Sequence, residues 1–160
     1  MNGNRLFVAC VILSLVAIVG LSIFGPPAVF TPNESAYERA TVIIYDERGT
    51  SVDTFDVRVA DTWRTRAIGL STTDSLSAGE GMLFVHPEPG ERTYSNRGMT
   101  FPIDILFIDE DGSITDIDHA APVGYSWPTT YTGYGKYVLE VQANSTAAAG
   151  IEVGYSVEIR

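Results

Sequence analysis

The chain has 160 residues, 45% of them hydrophobic, and sets 20 Asp and Glu against 10 Lys and Arg for a net charge of −10. That length accommodates one domain plus an appendage, and so acidic a surface repels phosphate backbones, which excludes nucleic acid as a partner. Nine of the ten basic residues are Arg and Lys136 is the only lysine, a composition that high salt favours because carboxylates hold water while dense ions screen their repulsion.

Residues Met1 to Arg5 form a short tail, and Leu6 to Phe24 then run nineteen residues without a charge. A spanning helix needs about 20 apolar residues, and the apolar region of a cleaved signal peptide is typically shorter, so an uncleaved transmembrane anchor is expected. Arg5 before the run and Glu34, Glu38 and Arg39 after it place the N-terminus inside and the C-terminal domain outside the cytoplasm. The only cysteine, Cys10, lies within this run, so the rest of the chain has no disulfide, no thiolate nucleophile and no cysteine-based zinc site. Residues 25–39, rich in Pro and small polar types, read as a linker, and 40–160 as the globular domain.

Within that domain, short β-type runs alternate with turn chemistry. Thr41–Tyr45, Val52–Ala60, Gly81–Val85, Ile103–Asp109, Ser113–Asp118, Lys136–Ala143 and Gly154–Arg160 are expected as strands. Asp61 or Thr62 is expected to cap a helix over Trp63–Leu70 that Gly69 closes, and Asn144 or Ser145 a second one stopped by Gly150. Many short strands and few helices mean a sandwich or a barrel.

Five ordered blocks carry a resemblance: "VADTWRTRAIGL", "GEGMLFVHPEPGERTY", "FPIDILFIDEDGSI", "YVLEVQA" and "GIEVGYSV". Together they make the chain similar to the family known as domain of unknown function 192 (DUF192), here as a haloarchaeal, membrane-anchored member. The resemblance implies a mainly β domain, an antiparallel β-sandwich or jelly-roll-like fold, to which the capping residues above add two short helices, and it implies no activity. It also keeps Arg66, Asp104 and Glu140 at characteristic positions. Where the family usually carries a Met-Lys/Arg-Asn-Thr/Met run, this chain reads Asn96-Arg97-Gly98-Met99, with Gly98 in place of the Asn.

Asp104 stands inside an otherwise apolar strand, and an unpaired buried carboxylate costs several kcal/mol. Its expected partners are Arg97, Arg66 and backbone N–H groups of the 98–101 elbow, in a structural charge network of Arg66, Asp104 and Glu140. Read functionally, Asp104 is instead the floor of a polar pocket with Arg97 at its mouth. Asp109–Gly112, "DEDG", reads as a hairpin turn because its spacing is wrong for a calcium loop. The stretch Tyr125–Tyr137 is expected to be a long loop whose Trp127, Tyr131 and Tyr134 offer flat faces to a ligand.

No metal motif, cofactor motif or nucleophile elbow is present. The leading expectation is therefore a membrane-anchored binding or accessory module for a small molecule, a glycan or an envelope protein. A hydrolase-type enzyme built from Asp104, His119 and Arg97 is the second, and a purely structural envelope protein the third.

Overall fold

A computed structural model describes residues 37–123 and 127–160. The expected transmembrane anchor over 6–24 and most of the 25–39 linker lie outside these residues. Among the described residues no helix is long and apolar enough to cross a membrane.

Seven strands form the domain: β1 (Glu38–Tyr45), β2 (Ser51–Ala60), β3 (Glu80–Ser95), β4 (Ile103–Ile108), β5 (Ile114–Ala120), β6 (Thr130–Gln142) and β7 (Ser156–Ile159). Two short helices join them, α1 (Trp63–Ile68) between β2 and β3 and α2 (Ser145–Ala149) between β6 and β7. The expected sandwich is corrected in one respect. All seven strands belong to a single sheet, in the order β5-β4-β6-β3-β2-β1-β7. Every pairing is antiparallel except β2 with β3, which the crossover through α1 makes parallel.

The sheet curls until its two edges meet. Ile114 N donates to Tyr155 O at 2.9 Å and Val157 N to Gly112 O at 2.7 Å, so the start of β5 is stitched to the start of β7. Pairing the edges satisfies backbone groups that an open sheet would expose. The curl encloses one apolar cluster that includes Val42, Ile44, Phe55, Leu106 and Leu139, all essentially inaccessible. A second cluster with Met82, Phe84, Ile105, Phe107 and Val138 lies on the opposite sheet face, because successive side chains on a strand alternate. Leu70, Leu76 and Met99, from the segments after α1 and before β4, pack against it.

β3 and β6 are longer than the apolar runs alone predict, and the reason is a bend. Their register shifts between Val85 and Gly90, where Pro87 and Pro89 lack the N–H a ladder needs. Beyond the shift the ribbon continues, and Tyr94 packs edge-on against Phe84 and Phe107, with ring centroids 4.9 and 6.2 Å apart. Gly133 makes this approach feasible, since a Cβ there would stand 2.4 Å from Phe107 Cγ. The segment expected as a long aromatic loop is thus mostly strand β6, and its residues 124–126 lie outside the described residues.

Local signals behave as elementary chemistry requires. Thr62 caps α1 through a reciprocal pair with Thr65, and Gly69 ends it. Asp109 Oδ1 accepts from Asp111 N at 3.0 Å and Ser113 N at 2.8 Å, which closes the β4–β5 hairpin as a turn.

Asp104 organises the remaining end of the domain. Its side chain is 1% exposed and, among the described residues, carries no arginine partner. Oδ2 accepts from Thr146 N at 3.0 Å and Thr146 Oγ1 at 2.7 Å. Oδ1 accepts from Asn144 N at 3.2 Å and bonds His119 Nδ1 at 2.8 Å. The expected cap of α2 is therefore corrected: Asn144 adopts a left-handed backbone with φ 67° and makes no side-chain cap, and Asp104 supplies the acceptor from β4. Replacing Asp104 with Ala leaves the buried Thr146 donors unsatisfied, and a loss of about 3 kcal/mol in denaturant-derived stability is expected. A loss below about 1 kcal/mol would show that the four bonds are incidental.

Candidate functional site

One concavity among the described residues is an open cleft of about 1010 Å³. Its boundaries are α1 and the segment following it, the bent part of β3, the 95–99 elbow, and Glu140 of β6. Each wall has a structural cause. The α1 crossover must lie over the sheet to make β2 and β3 parallel, and the proline bend carries Tyr94 over Phe84. The elbow is clamped by Asn96, 5% exposed, whose Nδ2 donates to Ala121 O at 2.8 Å and whose Oδ1 accepts from Thr129 N at 2.8 Å. Met99 N closes the turn onto Asn96 O at 3.0 Å.

Glu140 is the unusual group in the cleft. It is 6% exposed, lies opposite Met82 on β3 and Ile105 on β4, and among the described residues no hydrogen bond or ion pair reaches its carboxyl. Burial pushes its pKa up to about 8, so the acid is mostly protonated at neutral pH. Beside it, His86 Nε2 and Tyr94 Oη share a hydrogen bond of 2.9 Å whose donor depends on the imidazole tautomer. Burial, helped by Arg92 and Arg66, holds His86 down to about 4, which keeps the ring neutral. Burial, with the carboxyl of Glu140 adding to it, raises the Tyr94 phenol.

The cleft is also locally basic, which the chain as a whole is not. Arg66, Arg92 and Arg97 line it against Glu91 and the largely neutral Glu140. Arg66 Nη1 donates to Val85 O at 2.8 Å and also to Asp61 O, while Arg92 donates to Gly135 O at 3.2 Å and to Glu88 O. Carbonyls position these guanidinium groups without neutralising them. The Arg97 side chain is exposed and makes no hydrogen bond or ion pair among the described residues. Trp63, 73% exposed, stands at the rim with the Arg64 guanidinium 5.7 Å from its ring.

The residues singled out from the sequence divide between two places. Arg97, Arg66 and Glu140 line the cleft, whereas Asp104 does not. Ile105 pairs directly with Glu140, so Asp104 and Glu140 point to opposite faces of the sheet. The expected charge network of Arg66, Asp104 and Glu140 is accordingly not formed, and Asp104 is satisfied by His119 and the start of α2. Nor do Asp104, His119 and Arg97 converge: the first two are bonded on one face and Arg97 belongs to the cleft on the other. No serine or threonine hydroxyl bonds either histidine among the described residues. Tyr131 is half-buried opposite Tyr94, while Trp127 at 92% exposure and Tyr134 are exposed, and none of the three lines the cleft.

Sequence reasoning missed Arg92, the His86–Tyr94 pair and the solitary state of Glu140. For Glu140 the signal was present, an acid within the apolar run "YVLEVQ", and it was of the same kind that drew notice to Asp104. Gly98, with φ +78°, has a conformation that Asn also tolerates, so the elbow accepts either residue and Gly leaves the cleft wall bare.

Native Glu140 binds its proton more tightly than an unfolded glutamate with a pKa of 4.5. Stability is therefore greatest below pH 4.5 with respect to this group and falls as pH rises towards about 8. The loss amounts to a few kcal/mol, since each tenfold difference in proton affinity between the folded and unfolded chain is worth roughly 1.4 kcal/mol. Glu140→Gln is expected to flatten that slope and to be more stable than wild type above pH 8, as read by denaturant melts across pH. Parallel profiles for the two proteins would refute the assignment.

Among solved structures the chain is similar to a proposed transcription regulator from Sinorhizobium meliloti 1021, with TM-score 0.70 and 26% identity, covering 76% of this chain and 94% of that one. It is also similar to a protein of unknown function from Novosphingobium aromaticivorans DSM 12444, with TM-score 0.68 and 29% identity, covering 84% of this chain and 93% of the other. No curated protein matches. The family model described as an uncharacterized ACR, DUF192, matches residues 43–159, which takes in all four walls of the cleft, and the chain belongs to that family.

Proposed function

We propose that the chain is a membrane-tethered extracytoplasmic module that binds a small organic anion in the cleft between α1 and the bent β3–β6 ribbon. One observation carries the reading: three guanidinium groups with no carboxylate partner among the described residues gather at one concavity of a protein whose net charge is −10. A cationic mouth on an acidic body directs a small anion to one place, because field lines concentrate in a concave, low-dielectric wall. Apolar side chains of Ile68, Leu70, Phe84 and Met99 complete the lining and suit a ligand with a hydrocarbon or aromatic body.

The tether is the uncharged run of Leu6–Phe24, with the domain outside the cytoplasm by the charge asymmetry around it. The lysine-poor acidic surface fits a high-salt exterior. The description of the Sinorhizobium protein as a transcription regulator is not extended to this chain, since its charge opposes DNA. A catalytic reading is not favoured, because the cleft presents a neutral acid and a neutral imidazole but no activated nucleophile.

Binding is tested by calorimetry on the full chain with a panel of carboxylates and organic phosphates. Saturable binding is expected for part of the panel, with Arg97→Ala weakening it about tenfold and Trp127→Ala leaving it unchanged. Arg97 is exposed, so the substitution spares the fold. Affinity that ignored Arg97, or no saturable anion across the panel, would sink the proposal.

A further inference from the structure

We propose that the ligand is a zwitterion, whose ammonium group seats on Glu140 at the floor of the cleft while its carboxylate or phosphate meets Arg97 at the mouth. The inference rests on the anion-binding reading and adds the chemistry of the ligand's other end.

Glu140 is 6% exposed and its carboxyl has no protein partner among the described residues; since no inaccessible side-chain oxygen among them lacks a partner, its oxygens open onto the cleft. Such a group is costly to the native state unless something else completes it. The groups facing the same space are Arg66 from α1, His86, Glu91, Arg92 and Tyr94 from β3, and Arg97 from the elbow. None of the three arginines forms an ion pair with Glu140. The Tyr94 hydroxyl is engaged with His86, and β4 offers only the apolar Ile105 opposite the carboxyl.

The missing complement is therefore a cation delivered by the ligand. The walls suit one, because the half-buried Tyr94 brings an aromatic ring to the same cleft, and an ammonium group is attracted both to an aromatic ring and to a carboxylate. The apolar part of the lining, Ile68, Leu70 and Met99, suits the hydrocarbon spacer of an amino acid or an amino-phosphate. A second anionic end gains nothing from Glu140, which has no positive charge to offer it.

The proton balance follows. In the empty cleft Glu140 carries its proton at neutral pH; when an ammonium group arrives, the O–H bond breaks, the carboxylate pairs with the cation, and the proton passes to the buffer. Affinity then strengthens as pH rises towards about 8, up to tenfold per pH unit, and levels off above it.

The test is titration calorimetry on the full chain near neutral pH, repeated in buffers of low and high ionisation enthalpy. The probes are ω-amino acids of increasing length from glycine to aminohexanoate, phosphoethanolamine for the phosphate case, and the matching alkanoates and alkylamines that lack one end. At least one zwitterion is expected to bind about tenfold more tightly than its alkanoate and to release close to one proton. Glu140→Gln, which keeps the side-chain shape, is expected to lose both the preference and the proton release while still binding the alkanoate. Arg97→Ala is expected to weaken zwitterion and alkanoate alike. Alkanoates that bind as tightly as zwitterions without proton release would overturn the zwitterion and leave the anion site standing. A panel in which no probe saturates would overturn both.

Discussion

A carboxylate removed from water must find donors, and in this fold Asp104 meets that requirement by drawing the start of α2 and His119 of β5 to one point. From the second position of β4 it accepts from the backbone N–H groups of Asn144 and Thr146 and the Thr146 hydroxyl, and it bonds the His119 ring. The short helix α2 has no side-chain cap of its own, so its start depends on an acceptor from another strand. The chain after α2 returns through Ile151 and Tyr155 to reach β5 and β7, where the edges of the sheet are stitched together. Closure of the curled sheet thus follows from how α2 is held, and α2 from one buried acid.

Glu140 shows the same residue chemistry with the opposite outcome. It also stands in an apolar strand and is buried nearly as deeply. Its strand neighbours place it on the other face of the sheet, over a cleft instead of beneath a helix. No N–H group among the described residues comes to it, and it stays protonated where Asp104 is fully hydrogen-bonded. One acid is completed by the fold and the other is left to what enters the cleft. The contrast separates a structural carboxylate from a candidate binding group on physical grounds, by counting donors.

The cleft itself is a by-product of backbone chemistry. Two prolines interrupt the β3 ladder, the ribbon bends, and Tyr94 returns over Phe84 while Gly133 admits the Phe107 ring. The same bend carries Arg92 to the cleft wall, and the clamp of Asn96 fixes the elbow that presents Arg97. Positive charge therefore accumulates at one concavity of a protein that is strongly negative as a whole. Guanidinium groups bonded to carbonyls are held in place with their charge intact, which is the state a binding site for anions requires.

Much of the fold was legible in local pattern. Every expected strand exists, α1 begins at Thr62 and stops at Gly69, and the Asp109–Gly112 turn closes as its residues require. These features depend on residues within a few positions of each other, and a sequence displays such neighbours directly. The family likewise follows from ordered blocks along the chain. What the tertiary structure decided is everything that depends on strand register and on the bend in β3. Those include the single curled sheet in place of two stacked ones, the partners of Asp104, the solitude of Glu140, and the gathering of Arg66, Arg92 and Arg97. A one-residue difference in register moves a side chain to the other face, so Asp104 and Glu140 look alike as letters and diverge only once β4 and β6 are paired.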